Sequence, residues 1–233
     1  MIVEAELKKL GQELGVKFKD PANLVAAFVH GSYLNEYPSK VQESNERLEF
    51  LGDAVLELVV TEHLYHHYQK PEGELTNLRS AVVSGKNLAQ VARRLELGKY
   101  LLLSRGEELS GGREKDYIMA NTLEAVIGAA YLDGGYEQAG KIIEQHILST
   151  LPEIIAKGSF LDAKSRLQEI SQEKYAVTPE YRVLHESGPD HDKTFVVGAY
   201  IAGSLVGEGS GRSKQAAERA AAEDALAAEE WGV

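Results

Sequence analysis

Cysteine is absent from the 233 residues. That excludes disulfides, thiolate zinc sites, iron–sulfur clusters and cysteine nucleophiles together. Any metal must then sit on oxygen or imidazole, which puts hard cations such as Mg2+ or Mn2+ first. No apolar run reaches the roughly 18 residues of a membrane span, so no membrane partner is expected. The opening residues MIVEAELKKLGQELG carry neither a basic leader nor an apolar stretch, and they do not read as a signal peptide. A cytoplasmic protein is the expectation. An excess of positive charge is missing too. Lys and Arg number 25 against 36 Asp and Glu, a net charge of −11. Residues 1–155 hold −7 of it and residues 156–233 hold −4. Taken alone, this disfavours nucleic acid, whose phosphates prefer basic partners. Carboxylates gathered to hold a cation also make a domain acidic, however, so the placement of charge matters more than its sum.

What is present is ordinary for a folded chain: 43% hydrophobic and 26% charged residues. The length suits one mid-sized domain and a small one. Residues 1–155 read as all helix. Leu7, Leu10 and Leu14 share a face, and Asp20-Pro21 caps a second helix. Leu34–Ser44 reads as a loop. A long helix is expected from about Asn45 to Tyr68, broken by Pro71-Glu72-Gly73. Helical periodicity returns over Leu75–Leu95. Ser104–Asp116 reads as a polar loop, Tyr117–Leu132 as a helix ended by Asp133-Gly134-Gly135, and Tyr136–Ile155 as the last helix. Residues 156–159 form the expected linker. Residues 160–233 then run α-β-β-β-α. The first helix spans Phe160–Tyr175. Period-two alternation marks Phe195–Ile201, and an alanine-rich helix starts near Ser213.

The segment Asn45–Glu57, NERLEFLGDAVLE, carries the chemistry. At 100° per residue, Glu46, Glu49, Asp53 and Glu57 fall on one helix face. Four acids without interleaved lysines repel one another. One reading is a solvated acidic stripe. The apolar flanks Leu48, Phe50, Leu51, Val55, Leu56, Leu58, Val59 and Val60 favour another: a helix buried on most sides whose acids line a cleft and hold a cation. Gly52, costly in mid-helix, implies close approach of a second backbone. Asn121 and Glu124 share a face of the helix MANTLEAVIGAA. Its small residues Ala120, Ala125, Gly128 and Ala129 suit tight packing. Glu49, Asp53, Asn121 and Glu124 could then converge as an all-oxygen Mg2+ site, with Mn2+ able to substitute. Asn121 alone could equally be a local hydrogen-bonding residue. His63, His66 and His67 read as surface or interface residues, because no HExxH pattern is present.

NERLEFLGDAVL, PEGEL at 71–75 and the stretch 120–135 ending YLDGG together resemble bacterial ribonuclease III, in order and in spacing. The resemblance covers essentially the whole chain. It implies an all-α endonuclease domain that cleaves double-stranded RNA as a homodimer. Each subunit would supply a Mg2+ site and leave 5′-phosphate and short 3′-overhang ends, with roles in rRNA and mRNA processing. It places metal ligation on Glu49, Asp53, Asn121 and Glu124, with Asp53 and Glu124 catalytic. Glu46 and Glu72 would lie near the RNA path, and Phe50 would plug a socket in the partner subunit. The family most often carries aspartate where this chain has Asn121, so a weaker hold on Mg2+ is expected.

Residues 160–233 resemble a double-stranded RNA-binding domain, through DAKSRLQE at 162–169, GPDHDK at 188–193 and GEGSGRSKQAAERAAA at 207–222. Such modules read A-form shape. Gln168 and Glu169 would reach 2′-hydroxyls, and His191 with Lys193 would enter from a turn tip. Arg212 and Lys214 at the last helix start would hold phosphate. Here Lys214 is followed by Gln215 where the family usually has a second basic residue. The GEGSG run fits neither GxGxxG nor a P-loop, so no nucleotide cofactor is expected. Two other functions compete: an RNA-binding protein with an impaired nuclease domain, motivated by Asn121, and a phosphohydrolase on small nucleotides, which leaves the C-terminal module unexplained.

Overall fold

The computed structural model describes residues 4–156, 163–189, 193–228 and 231. The chain divides into two compact units, residues 1–157 and 158–233. Of the expected linker, 157–159 lie outside the described residues, as do 160–162 of the helix expected after it.

The first unit is helical. Helix α1 (Glu4–Glu13) buries Leu7 and Leu10, and Leu14 follows them into the core. Asp20 caps α2 (Pro21–Ala26), accepting from the Ala22 N–H at 2.9 Å, with Pro21 in the first turn where it forfeits no hydrogen bond. Helix α3 (Gly31–Glu36) occupies the start of the segment expected as loop. Its cap is the His30 ring, whose Nδ1 accepts from the Ser32 N–H at 3.2 Å. Helix α4 (Glu46–His67) is the acidic helix. The periodic stretch expected over 75–95 is two helices, α5 (Glu72–Val82) and α6 (Gly85–Arg94). Ser84 separates them by capping α6, accepting from the Asn87 N–H at 3.3 Å. The expected polar loop at 104–116 contains α7 (Arg105–Leu109) and a single 3-10 turn. Ser104, a capping residue type, starts α7.

Helix α8 (Asp116–Ile142) is central and almost entirely buried from Ile118 as far as Ala130. At Gly135 the backbone turns to φ 73°, a conformation glycine adopts without steric cost. Asp133 secures this corner, accepting from the backbone N–H groups of Lys19 and Asp20, both at 2.8 Å. A π turn and a 3-10 turn lead into α9 (Leu151–Ala156). Among the described residues, no helix is long and apolar enough to cross a membrane.

The second unit packs α10 (Ala163–Tyr175) and α11 (Lys214–Ala227) with a three-stranded antiparallel sheet. Its strands β1 (Glu180–Ser187), β2 (Thr194–Ile201) and β3 (Ser204–Gly211) lie in sequence order. Val197, Ala199 and Ile201, alternate residues of β2, are buried with Leu167 and Ala217, Ala221, Ala222 and Ala225. Gly207, Gly209 and Gly211 line the β3 face beneath α11. A Cβ on Gly209 would stand 2.1 Å from the Ala221 nitrogen. The GEGSG run and the alanine run are thus one packing device.

Candidate active site

Helices α4 and α8 cross at a pair of glycines. A Cβ on Gly52 would lie 1.8 Å from the Glu124 carbonyl oxygen, and one on Gly128 would lie 2.2 Å from that of Leu48. No other residue fits either position without separating the helices. This contact sets the turn bearing Glu49 and Asp53 beside the turn bearing Asn121 and Glu124.

The side chains feel one another. Glu49 is half-buried and hydrogen-bonded to Asn121. Burial raises the affinity of Glu49 for a proton, the Asn121 bond opposes this, and the charges of Glu46 and Asp53 add to it. Burial, with the charges of Asp53 and Glu49, pushes the Glu124 carboxyl up to about 7. Among the described residues, no lysine or arginine contributes to the shifts of Glu49 and Glu124. Glu46, exposed at the start of α4, accepts from the Ser44 hydroxyl at 3.0 Å. Among the described residues, no three His, Asp or Glu side chains already stand as a closed metal cage. The donor set nevertheless suits a hard divalent cation: the half-buried carboxylates of Glu49 and Glu124, the exposed carboxylate of Asp53 and the half-buried amide oxygen of Asn121.

Two residues stand apart from this cluster. Glu57, the fourth acid of the face, pairs with the Arg79 Nε at 2.9 Å. Glu72 opens α5, exposed, and accepts from the Thr76 hydroxyl at 3.2 Å. The expectation that α4 is buried on most sides is corrected. Phe50 is 81% exposed, and Leu58 and Tyr65 are exposed on the same stripe. Sequence reasoning passed over Asn45 as a structural residue. It is buried, and its amide donates to the Ala27 carbonyl at 3.0 Å, fixing where the acidic helix begins. An asparagine just ahead of a helix start was the available signal.

Two sequence families account for most of the chain. Residues 20–151 match the profile of a family described as Ribonuclease-III-like, and residues 163–228 match the double-stranded RNA binding motif. A protein of Borreliella burgdorferi named Ribonuclease 3 is 44% identical over 228 residues, 97% of this chain and 93% of its own. The Ribonuclease 3 of Syntrophotalea carbinolica is 42% identical over 210 residues, 90% of each chain. The chain belongs to the ribonuclease III family. A solved nuclease domain of the Campylobacter jejuni ribonuclease III shares 44% of its sequence with this one and aligns with a TM-score of 0.58. It covers 63% of this chain and 99% of that one, and it is described as flexible in a region involved in dimer formation. A ribonuclease III-type endoribonuclease acting on double-stranded RNA is therefore the enzyme in hand.

The RNA-binding module of this ribonuclease III presents its expected residues unevenly. Gln168 lines an open groove between α10 and α11, and Glu169 is exposed on α10. Lys214 and Lys193 flank one carboxylate, Glu186, at 3.5 and 3.9 Å. Arg212 is exposed just before the last helix. His191 lies outside the described residues. Ser213 caps α11, accepting from the Ala216 N–H at 3.2 Å.

Proposed function

We propose that this ribonuclease III is a Mg2+-dependent homodimer that hydrolyses both strands of duplex RNA and leaves 5′-phosphate and short 3′-overhang ends, as in rRNA and mRNA processing. The observation that carries the metal reading is the acid cluster at the α4–α8 crossing. Glu49, Asp53, Asn121 and Glu124 would hold the ion, and Mn2+ would fit the same oxygens. A hard cation held there would supply a coordinated water of lowered pKa and a positive charge to offset the one developing on the phosphate. Asp53 and Glu124 are assigned to the reacting centre. The Asn121 amide orients Glu49. Glu46 and Glu72 would border the RNA path, and Gln168, Glu169, His191, Lys193, Arg212 and Lys214 would hold the duplex.

The dimer reading rests on the stripe of Phe50, Leu58 and Tyr65 along α4. Apolar side chains in a row on a soluble surface mark an interaction site. The stripe lies next to the acidic face of the same helix, so pairing through it would bring two acid clusters to the edges of one valley, with Phe50 reaching into the partner.

Incubating the full chain with long duplex RNA, with and without Mg2+, tests the proposal. Cutting that needs the metal and yields 5′-phosphate ends with 3′ overhangs is expected. Duplex binding without cutting in Mg2+ or Mn2+ would favour the impaired-nuclease reading instead.

A further inference from the structure

Several cations of the second unit are paired with carboxylates of the same unit. Lys164 pairs with Glu218 at 2.5 Å, and Arg182 with Glu180 at 2.7 Å. Lys193 and Lys214 share Glu186. Lys214 also lies over the Phe195 ring, 5.6 Å from its centroid, so it faces the sheet side of α11. Elsewhere on the module, α10, α11 and the start of β1 border an open groove of about 640 Å3. It is lined by Lys164, Ser165, Gln168, Ser213, Gln215 and Arg219. Gln215 and Arg219 are one turn apart and share a helix face. Among the described residues, Arg219 pairs with Glu223, at 3.4 Å, with both side chains well exposed. A surface pair of that kind is worth at most about 1 kcal/mol and yields readily to a better acceptor.

We infer that Arg219 is a phosphate-contacting residue of the RNA-binding module, supplying across the α10–α11 groove the cation that Gln215 does not. Its guanidinium fork suits a phosphate better than an ammonium does. Gln168 and Ser213 on the same groove offer hydrogen bonds to sugar and backbone. A duplex seated on Gln168 and on the start of α11 has to pass over Arg219. This inference rests on the module binding duplex RNA through that helix.

The test measures affinity of the full chain for duplex RNA over a salt series, in chelator so that nothing is cut. Each phosphate contact contributes about 0.9 to the slope of log affinity against log salt. Arg219→Gln is therefore expected to lower the slope by about 0.9. Between about 50 and 200 mM salt, its affinity should fall about 3.5-fold less than that of the native chain. Adding Gln215→Lys to it should restore the slope, and Arg219→Lys should keep the slope while weakening binding. Position 219 is exposed on a helix, and a thermal melt of each variant checks that the fold is intact. Lys214→Gln, measured in parallel, distinguishes the two ways of failing. If only Lys214→Gln lowers the slope, Arg219 is not a contact. If neither variant does, the duplex is not held through α11 and both readings fall.

Discussion

At the residue scale, Glu124 is the informative group. Its carboxyl is held near 7 by burial and by Asp53 and Glu49, so the folded, metal-free chain keeps a proton that the unfolded chain releases near 4.5. Stability of the metal-free protein should therefore fall as pH rises from about 5 through 7, by up to about 3 kcal/mol. Glu124→Gln removes that penalty. We expect this variant to melt higher than the native chain at pH 8 without metal, to bind duplex RNA as before, and to cut it slower by orders of magnitude. Native-like cutting at saturating RNA would remove Glu124 from the reaction. Asn121 makes a second test. An amide in place of a carboxylate gives the site one charge less, and repulsion among the acids offsets part of the difference. Asn121→Asp should lower the Mg2+ concentration for half-maximal cleavage about tenfold, equivalent to about 1.4 kcal/mol, with a similar rate at saturation. Equal midpoints would show that Asn121 only orients Glu49. The acid pattern of α4 was legible in the sequence because helical spacing alone puts Glu46, Glu49 and Asp53 together. The departure of Glu57 was not, because it depends on Arg79 arriving from a different helix.

At the element scale, the α4–α8 crossing links fold to chemistry. Gly52 was conspicuous in the sequence as a costly residue in mid-helix, and it does admit a second backbone. Ala in its place would clash with the Glu124 carbonyl and push the helices apart. Gly52→Ala is expected to cost about 3 kcal/mol or more. It should also abolish cleavage, because Glu49 and Asp53 would leave Asn121 and Glu124. A stable, fully active Gly52→Ala protein would contradict the close approach. Short elements were the least legible. α3 and α7 are a single turn or little more, too short for periodicity, and their caps are a histidine ring and a serine within polar sequence. The 75–95 stretch read as continuous because its apolar spacing runs on either side of Ser84. The burial of α4 was overestimated for a different reason. An exposed apolar residue reads the same in sequence as one in the core.

At the scale of the whole molecule, the acidic charge is divided between two tasks. In the first unit carboxylates gather where a cation would compensate them. In the second, Glu186, Glu218 and Glu180 pair with Lys214, Lys164 and Arg182 of the same unit. Binding should then be modest. The two units are also separable in principle, since a solved relative consists of the nuclease domain and aligns over 99% of its length. A fragment ending at Ala156 keeps α4, Phe50 and the whole acid cluster. It should remain a dimer by sedimentation and cut duplex RNA at low salt with high Mg2+. Near physiological salt, where the missing module no longer holds the duplex, its cutting should largely disappear. Phe50→Ala in the same fragment exposes the link between assembly and catalysis. Truncating an aromatic that fills a partner pocket typically costs at least about 2 kcal/mol of association, which is close to a thirtyfold rise in dimer dissociation constant. Activity should then depend on protein concentration and recover as the dimer reforms. A Phe50→Ala monomer that cuts both strands at full rate would show that one acid cluster suffices, and the shared valley would have to be abandoned.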